Sequence, residues 1–118
     1  MSFPDKLTLS PIKNISGTVD LPGSKSLSNR ILLLSMLAEG HTEIHNLLDS
    51  DDTRRMVEAL KTLGVEVLED RNQNRISVYG TSGIIPVTEA TLMLGNAGTV
   101  IRPLTAALTI GKGCFVLD

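Results

Sequence analysis

The stretch Leu21-Pro22-Gly23-Ser24-Lys25-Ser26-Leu27-Ser28-Asn29-Arg30 runs from a turn straight into the first long apolar segment of the chain. Pro22-Gly23 is a turn dipeptide, and Ser24 or Ser26 can accept a hydrogen bond from a first-turn backbone amide. The remaining free amides and the positive end of the helix dipole point the same way, which suits a phosphate or a carboxylate. Lys25 adds a mobile point charge and Arg30 a rigid planar fork, and Ser26 and Arg30, four apart, share one helical face. Taken alone, residues of this kind more often make a solvated basic helix start. They are not a nucleotide P-loop, whose two glycines flank four residues, because only Gly23-Ser24-Lys25-Ser26 is present.

Downstream, Leu27, Ile31, Leu34 and Ala38 keep helical spacing from Ser26 to Glu39, while Leu32, Leu33, Met36 and Leu37 widen the apolar arc. The pattern predicts a helix buried on nearly all sides and stopped at Gly40. Upstream, Leu7-Thr8-Leu9 and Ile15 to Val19 alternate around Pro11 and Gly17 and predict short strands or one bent strand. Thr42 to His45 reads as a strand. Asp49 or Ser50 then caps a second helix with Asp51 and Asp52 in its first turn, the charge the dipole favours there, so capping accounts for these acids better than a ligand does. Met56, Ala59, Leu60 and Leu63 mark its buried face and Gly64 its end; Val65 to Leu68 and Ile76 to Tyr79 read as strands.

The opening pattern then recurs roughly seventy residues later, as an internal repeat would. A strand at Ala90 to Leu94 leads through Gly95-Asn96-Ala97-Gly98-Thr99 into an apolar helix reaching Ile110. Gly95 and Gly98 let backbone approach a ligand, Asn96 offers donor and acceptor, and Thr99 is the expected cap. Because Pro103 is tolerated only in a first turn, the helix is expected to begin between Thr99 and Arg102. Cys114 to Leu117 begins a strand that stops at Asp118, which reads as a fragment of a longer chain.

At 118 residues and 42% apolar composition, the chain has enough material for one ordinary α/β core. A net charge of −2 argues against nucleic acid or an anionic membrane as the main partner, and three aromatic residues, Phe3, Tyr79 and Phe115, offer no stacking platform. The single Cys114 cannot form an internal disulfide, no apolar run reaches a membrane span, and the Met1 start lacks a signal-peptide core, which places the protein in the cytoplasm. His41 and His45 share a strand face without a third ligand, so no metal is expected. The scattered Met1, Met36, Met56 and Met93 read as gap fillers, and Arg54, Arg55 and Lys61 as solvated charge.

Three motifs, LPGSKSLSNR at 21–30, LLDSDD at 47–52 and LGNAGTVIRPL at 94–104, in this order and spacing resemble the amino-terminal part of the 5-enolpyruvylshikimate-3-phosphate synthase family, 3-phosphoshikimate 1-carboxyvinyltransferases. The similarity runs from about Leu7 to Asp118 and covers about the first quarter of the family's length. It implies transfer of the enolpyruvyl group of phosphoenolpyruvate to the 5-hydroxyl of 3-phosphoshikimate with release of phosphate, a step toward chorismate and the aromatic amino acids, without a cofactor. It also implies that Lys25, Ser26 and Arg30 bind 3-phosphoshikimate. Lys25, the catalytic candidate, also reaches phosphoenolpyruvate, and Asn96, Gly98 and Thr99 lie against the phosphoenolpyruvate site, which glyphosate occupies in such enzymes. Gly98 in place of alanine, with Thr99 and Pro103, resembles the glyphosate-sensitive pattern.

The implied fold is the inside-out α/β enolpyruvyl-transferase architecture of βαβαββ units, here one unit plus the start of a second. Residues 1–20 would join the other, absent domain and residues 21–118 form the first part of the amino-terminal one. The family's remaining carboxylates and arginines lie beyond Asp118, so the piece alone is expected to be inactive and to expose apolar surface. Full-length members are expected to be monomers, with self-association left open to a shorter piece. Two alternatives stand beside this one. The sister enolpyruvyl transferase acting on UDP-N-acetylglucosamine usually has asparagine beside the lysine, where Ser26 stands, and a reactive cysteine in a longer glycine-rich turn, whereas Cys114 is expected to be an inert core residue. The other is a non-catalytic anion-binding module.

Overall fold

A computed structural model describes residues 4–118; Met1 to Phe3, the start of the expected N-terminal strand region, lie outside them. The elements are α1 (Lys25–Leu37), β1 (His41–His45), α2 (Asp51–Thr62), β2 (Glu66–Asp70), β3 (Arg75–Tyr79), β4 (Glu89–Leu92), α3 (Gly98–Leu108) and β5 (Cys114–Leu117). From α1 onward this is the predicted order, and local chemistry explains the boundaries. Ser24 caps α1, its hydroxyl accepting from the Leu27 amide at 3.3 Å. Ser50 and Thr53 cap α2 reciprocally: the Ser50 hydroxyl accepts from the Thr53 amide at 3.3 Å, and the Thr53 hydroxyl from the Ser50 amide at 3.0 Å. Gly40 and Gly64, with φ of 82° and 87°, turn the chain away after α1 and α2.

β1, β3 and β2 form an antiparallel sheet in that order, with Ile44 opposite Ile76 and Val67 opposite Val78. These four side chains point inward, and the other face carries His41, Glu43, His45 and Glu66. β4 and β5 pair in parallel across α3, a βαβ crossover. The three helices pack on one another, and Leu32, Met36, Met56, Leu60, Leu92, Val100 and Leu104 form one continuous core between them and the two sheets. The mixture of helix and strand is the expected α/β class.

Four expectations fail for physical reasons. Leu7 to Leu9 and Ile15 to Val19 form no strand, and their side chains are exposed, because no neighbouring strand among the described residues completes their ladder. The first unit therefore lacks its opening strand here. The second helix-bearing unit has its own in β4, and β1 and β2 are the edge strands of the first sheet. Helix α1 is not buried on all sides: Leu27 and Leu34 are exposed, since α2, α3 and the sheet cover only the face bearing Ser28, Asn29, Leu32 and Met36. Helix α3 begins one residue before the expected window, at Gly98, and Pro103 lies beyond its first turn; Thr99 does not cap it. Cys114 is exposed rather than a core residue, because it lies on the outward side of β5.

Candidate anion-binding site

The turn before α1 is held by close approach. A Cβ on Gly23 would lie 2.5 Å from the Asn46 carbonyl oxygen and 2.8 Å from the Leu48 nitrogen, so only glycine lets the turn sit on the loop between β1 and α2. One turn further, the Ser28 hydroxyl accepts from the Leu48 amide at 3.2 Å. These contacts bring the beginning of α1 beside that of α2. Lys25 Nζ lies 3.1 Å from Asp52 Oδ2, with the lysine side chain half exposed.

The beginning of α3 joins the same place. The Thr99 hydroxyl donates to Asp52 Oδ2 at 3.3 Å and accepts from Asn29 Nδ2 at 2.8 Å. Lys25, Asp52 and Thr99 are the first residue of α1, the second of α2 and the second of α3, so three helix N-termini meet around one carboxylate. No side chain caps α3; the Gly98 and Val100 amides donate to the Asn96 and Ala97 carbonyls at 2.9 and 2.8 Å, which leaves the Thr99 amide and the positive end of the helix dipole at this place.

Of the predicted site residues, the structure brings Lys25 and Thr99 together through Asp52. Gly98 and Asn96 precede Thr99 and are exposed. Ser26 is partly buried and Arg30 exposed on α1, and neither side chain makes a hydrogen bond or ion pair among the described residues. Two participants were missed. Asp52 was read as a first-turn acid suiting the helix dipole, which it is, but it also faces Lys25 and offsets part of its charge, so the patch is not uniformly positive. Asn29 was passed over; its signal was a polar residue four positions after Lys25 on the face that α1 buries.

Elsewhere, a cavity of about 150 Å³ is lined by Asp49, Arg54, Asp70, Arg71 and Arg75 over Leu47 and Ile76. Leu48 and Thr53 line it too, but none of Lys25, Asn29, Asp52 and Thr99 does. Its charges are engaged locally: Arg54 grips Asp49 at 2.7 and 2.9 Å and thereby holds that carboxyl below its usual value, and Arg75 lies 3.4 Å from Asp70. His41 stacks on Tyr79, His45 lies 2.7 Å from Glu43, and the described residues contain no group of three or more metal-ligating side chains. No helix among them is long and apolar enough to cross a membrane.

Residues 9–118 match the family model of EPSP synthase, 3-phosphoshikimate 1-carboxyvinyltransferase. The chain belongs to that family. It is 57% identical over 98% of its length to the chloroplastic 3-phosphoshikimate 1-carboxyvinyltransferase of Petunia hybrida, of which it covers 24%. It is 59% identical over 87% of its length to that of Thiobacillus denitrificans, again covering 24%. EPSP synthase from Acinetobacter baumannii is a structural neighbour with a TM-score of 0.73 and 27% identity, over 86% of this chain and 23% of that one. The fold is therefore that of EPSP synthase, and the chain spans about a quarter of the length of its relatives.

Proposed function

We propose that this chain carries part of the site at which the enolpyruvyl group of phosphoenolpyruvate passes to the 5-hydroxyl of 3-phosphoshikimate with release of phosphate. The observation that supports it is the meeting of three helix beginnings at Lys25, Asp52 and Thr99, the place where a small, doubly anionic acid gains most from backbone amides and a cation. Lys25, Ser26 and Arg30 hold 3-phosphoshikimate. Lys25, Asn96, Gly98 and Thr99 hold phosphoenolpyruvate, and glyphosate competes there. In the reaction the hydroxyl gives up its proton as its oxygen bonds to the central carbon of phosphoenolpyruvate and the methylene takes a proton to become methyl; the tetrahedral adduct then loses a methyl proton and expels phosphate, restoring the carbon–carbon double bond. A positioned ammonium at Lys25 steadies negative charge as it builds on oxygen, and the Asp52 carboxylate 3.1 Å away aims that ammonium.

Proton transfer in both directions needs further acids and bases than Lys25. The chain alone therefore binds without turning over, with residues 21–118 the first part of one domain and residues 1–20 belonging with another. The whole enzyme acts as a monomer in the cytoplasm, or in the chloroplast for the plant relatives that carry that name. Calorimetric titration of the chain tests the reading. Phosphoenolpyruvate and 3-phosphoshikimate bind and UDP-N-acetylglucosamine does not, and Lys25→Ala and Arg30→Ala each weaken 3-phosphoshikimate at least about tenfold, a charge-assisted hydrogen bond being worth about 1.5–3 kcal/mol. Unchanged affinity in both variants, or binding of the UDP-sugar instead, overturns it.

A further inference from the structure

Asn29 is fully buried, yet its amide makes one hydrogen bond, the donation to Thr99 at 2.8 Å; its Oδ1 has no partner among the described residues. A buried acceptor left without a donor costs free energy that an apolar residue in the same place would avoid, so stability alone does not account for an asparagine there. What the side chain does is directional. By donating to Thr99 Oγ1 it leaves the threonine proton free to point at Asp52 Oδ2, and that same oxygen faces Lys25 Nζ. The relay runs from the interior of α1 to α3, on to α2, and back to the first residue of α1.

We infer that Asn29 is the positioning residue that locks the Thr99 hydroxyl toward Asp52 and so holds the beginnings of α1, α2 and α3 as one preformed anion site. This rests on the phosphoenolpyruvate-site reading and deepens it. Without the amide donor the Thr99 hydroxyl can rotate away, Asp52 loses one of its two partners, and Lys25 samples more rotamers before meeting an anion. An ordering cost that the unaltered chain has already met is then charged against binding. Asp at this position is worse than Ala, because a carboxylate accepts the Thr99 proton itself and stands close to Asp52 in a buried setting.

The test combines melting, calorimetry with phosphoenolpyruvate, and the ¹⁵N signal of the Lys25 ammonium, using the full chain well below its melting temperature. Asn29→Ala is expected to raise the Kd at least about fivefold, Asn29→Asp more, and to move the Lys25 signal toward that of a free lysine, while melting falls by only a few degrees. A lower melting temperature with unchanged affinity and an unchanged Lys25 signal makes Asn29 merely structural and overturns the inference. If Lys25→Ala still abolishes binding in that case, the site reading survives. If Lys25→Ala has no effect, the site reading fails and the inference falls with it.

Discussion

Two glycines show how single residues divide between folding and binding. Gly23 sits where a methyl would strike the backbone of Asn46 and Leu48, whereas nothing lies within 4 Å of a Cβ built on Gly98, the exposed first residue of α3. Gly23→Ala is therefore expected to cost on the order of 2–3 kcal/mol of stability by forcing the turn off the β1–α2 loop. Gly98→Ala should leave stability unchanged or raise it by up to about 1 kcal/mol, since alanine is the better helix former. Chemical denaturation of both variants checks the contrast, and phosphoenolpyruvate titration of Gly98→Ala should show weaker binding despite its intact fold. Glycine as a turn former at position 23 was legible in the sequence, but the backbone it presses against, more than twenty residues away, was not. The second role of Asp52 was hidden for a similar reason: the first turn of a helix favours an acid whether or not a lysine from another helix faces it.

Helices and strands followed local pattern wherever that pattern was complete within the chain. The Ser50 cap of α2, the glycine stops and the alternation of β1 and β3 all act over a few residues, and each appears where expected. The N-terminal arm failed because a strand is a relation between two segments, and Ile15 to Val19 has alternation but no paired neighbour. Amide hydrogen exchange should read this directly. Residues from Leu7 to Val19 should exchange at close to unstructured rates, while Val78 and Leu60, central and fully buried, are protected by orders of magnitude. Protection of Ile15 to Val19 comparable with that of β1 would place a strand there after all. The end of α3 shows the opposite limit: Pro103 was taken to fix the helix start, yet α3 accommodates it after a full turn, where tertiary packing of Val100 and Leu104 outweighs the lost amide donor.

Across the molecule, the arm and the core behave differently. The radius of gyration is 18.8 Å, against about 13–14 Å for a compact chain of this length, because residues 4–21, exposed throughout, lie outside a core that begins at Leu32. Leu27 and Leu34 on α1, and Met93 and Val116 by the second sheet, leave apolar surface uncovered, in keeping with a chain that spans a quarter of its relatives. The α/β class and the recurrence of loop and helix were legible because repetition is a one-dimensional property. The contact of Asn29 with Thr99, seventy residues apart, was not, since no local spacing encodes which two copies of a repeat will touch. The central claim is that the beginnings of α1 and α3 act as one site. A titration of the ¹⁵N-labelled chain with phosphoenolpyruvate, following backbone amides, tests it most directly. The amides of 24–30 and 96–99 should shift together along a single midpoint; shifts confined to one segment, two separate midpoints, or shifts only around Arg54 and Arg71 would contradict it.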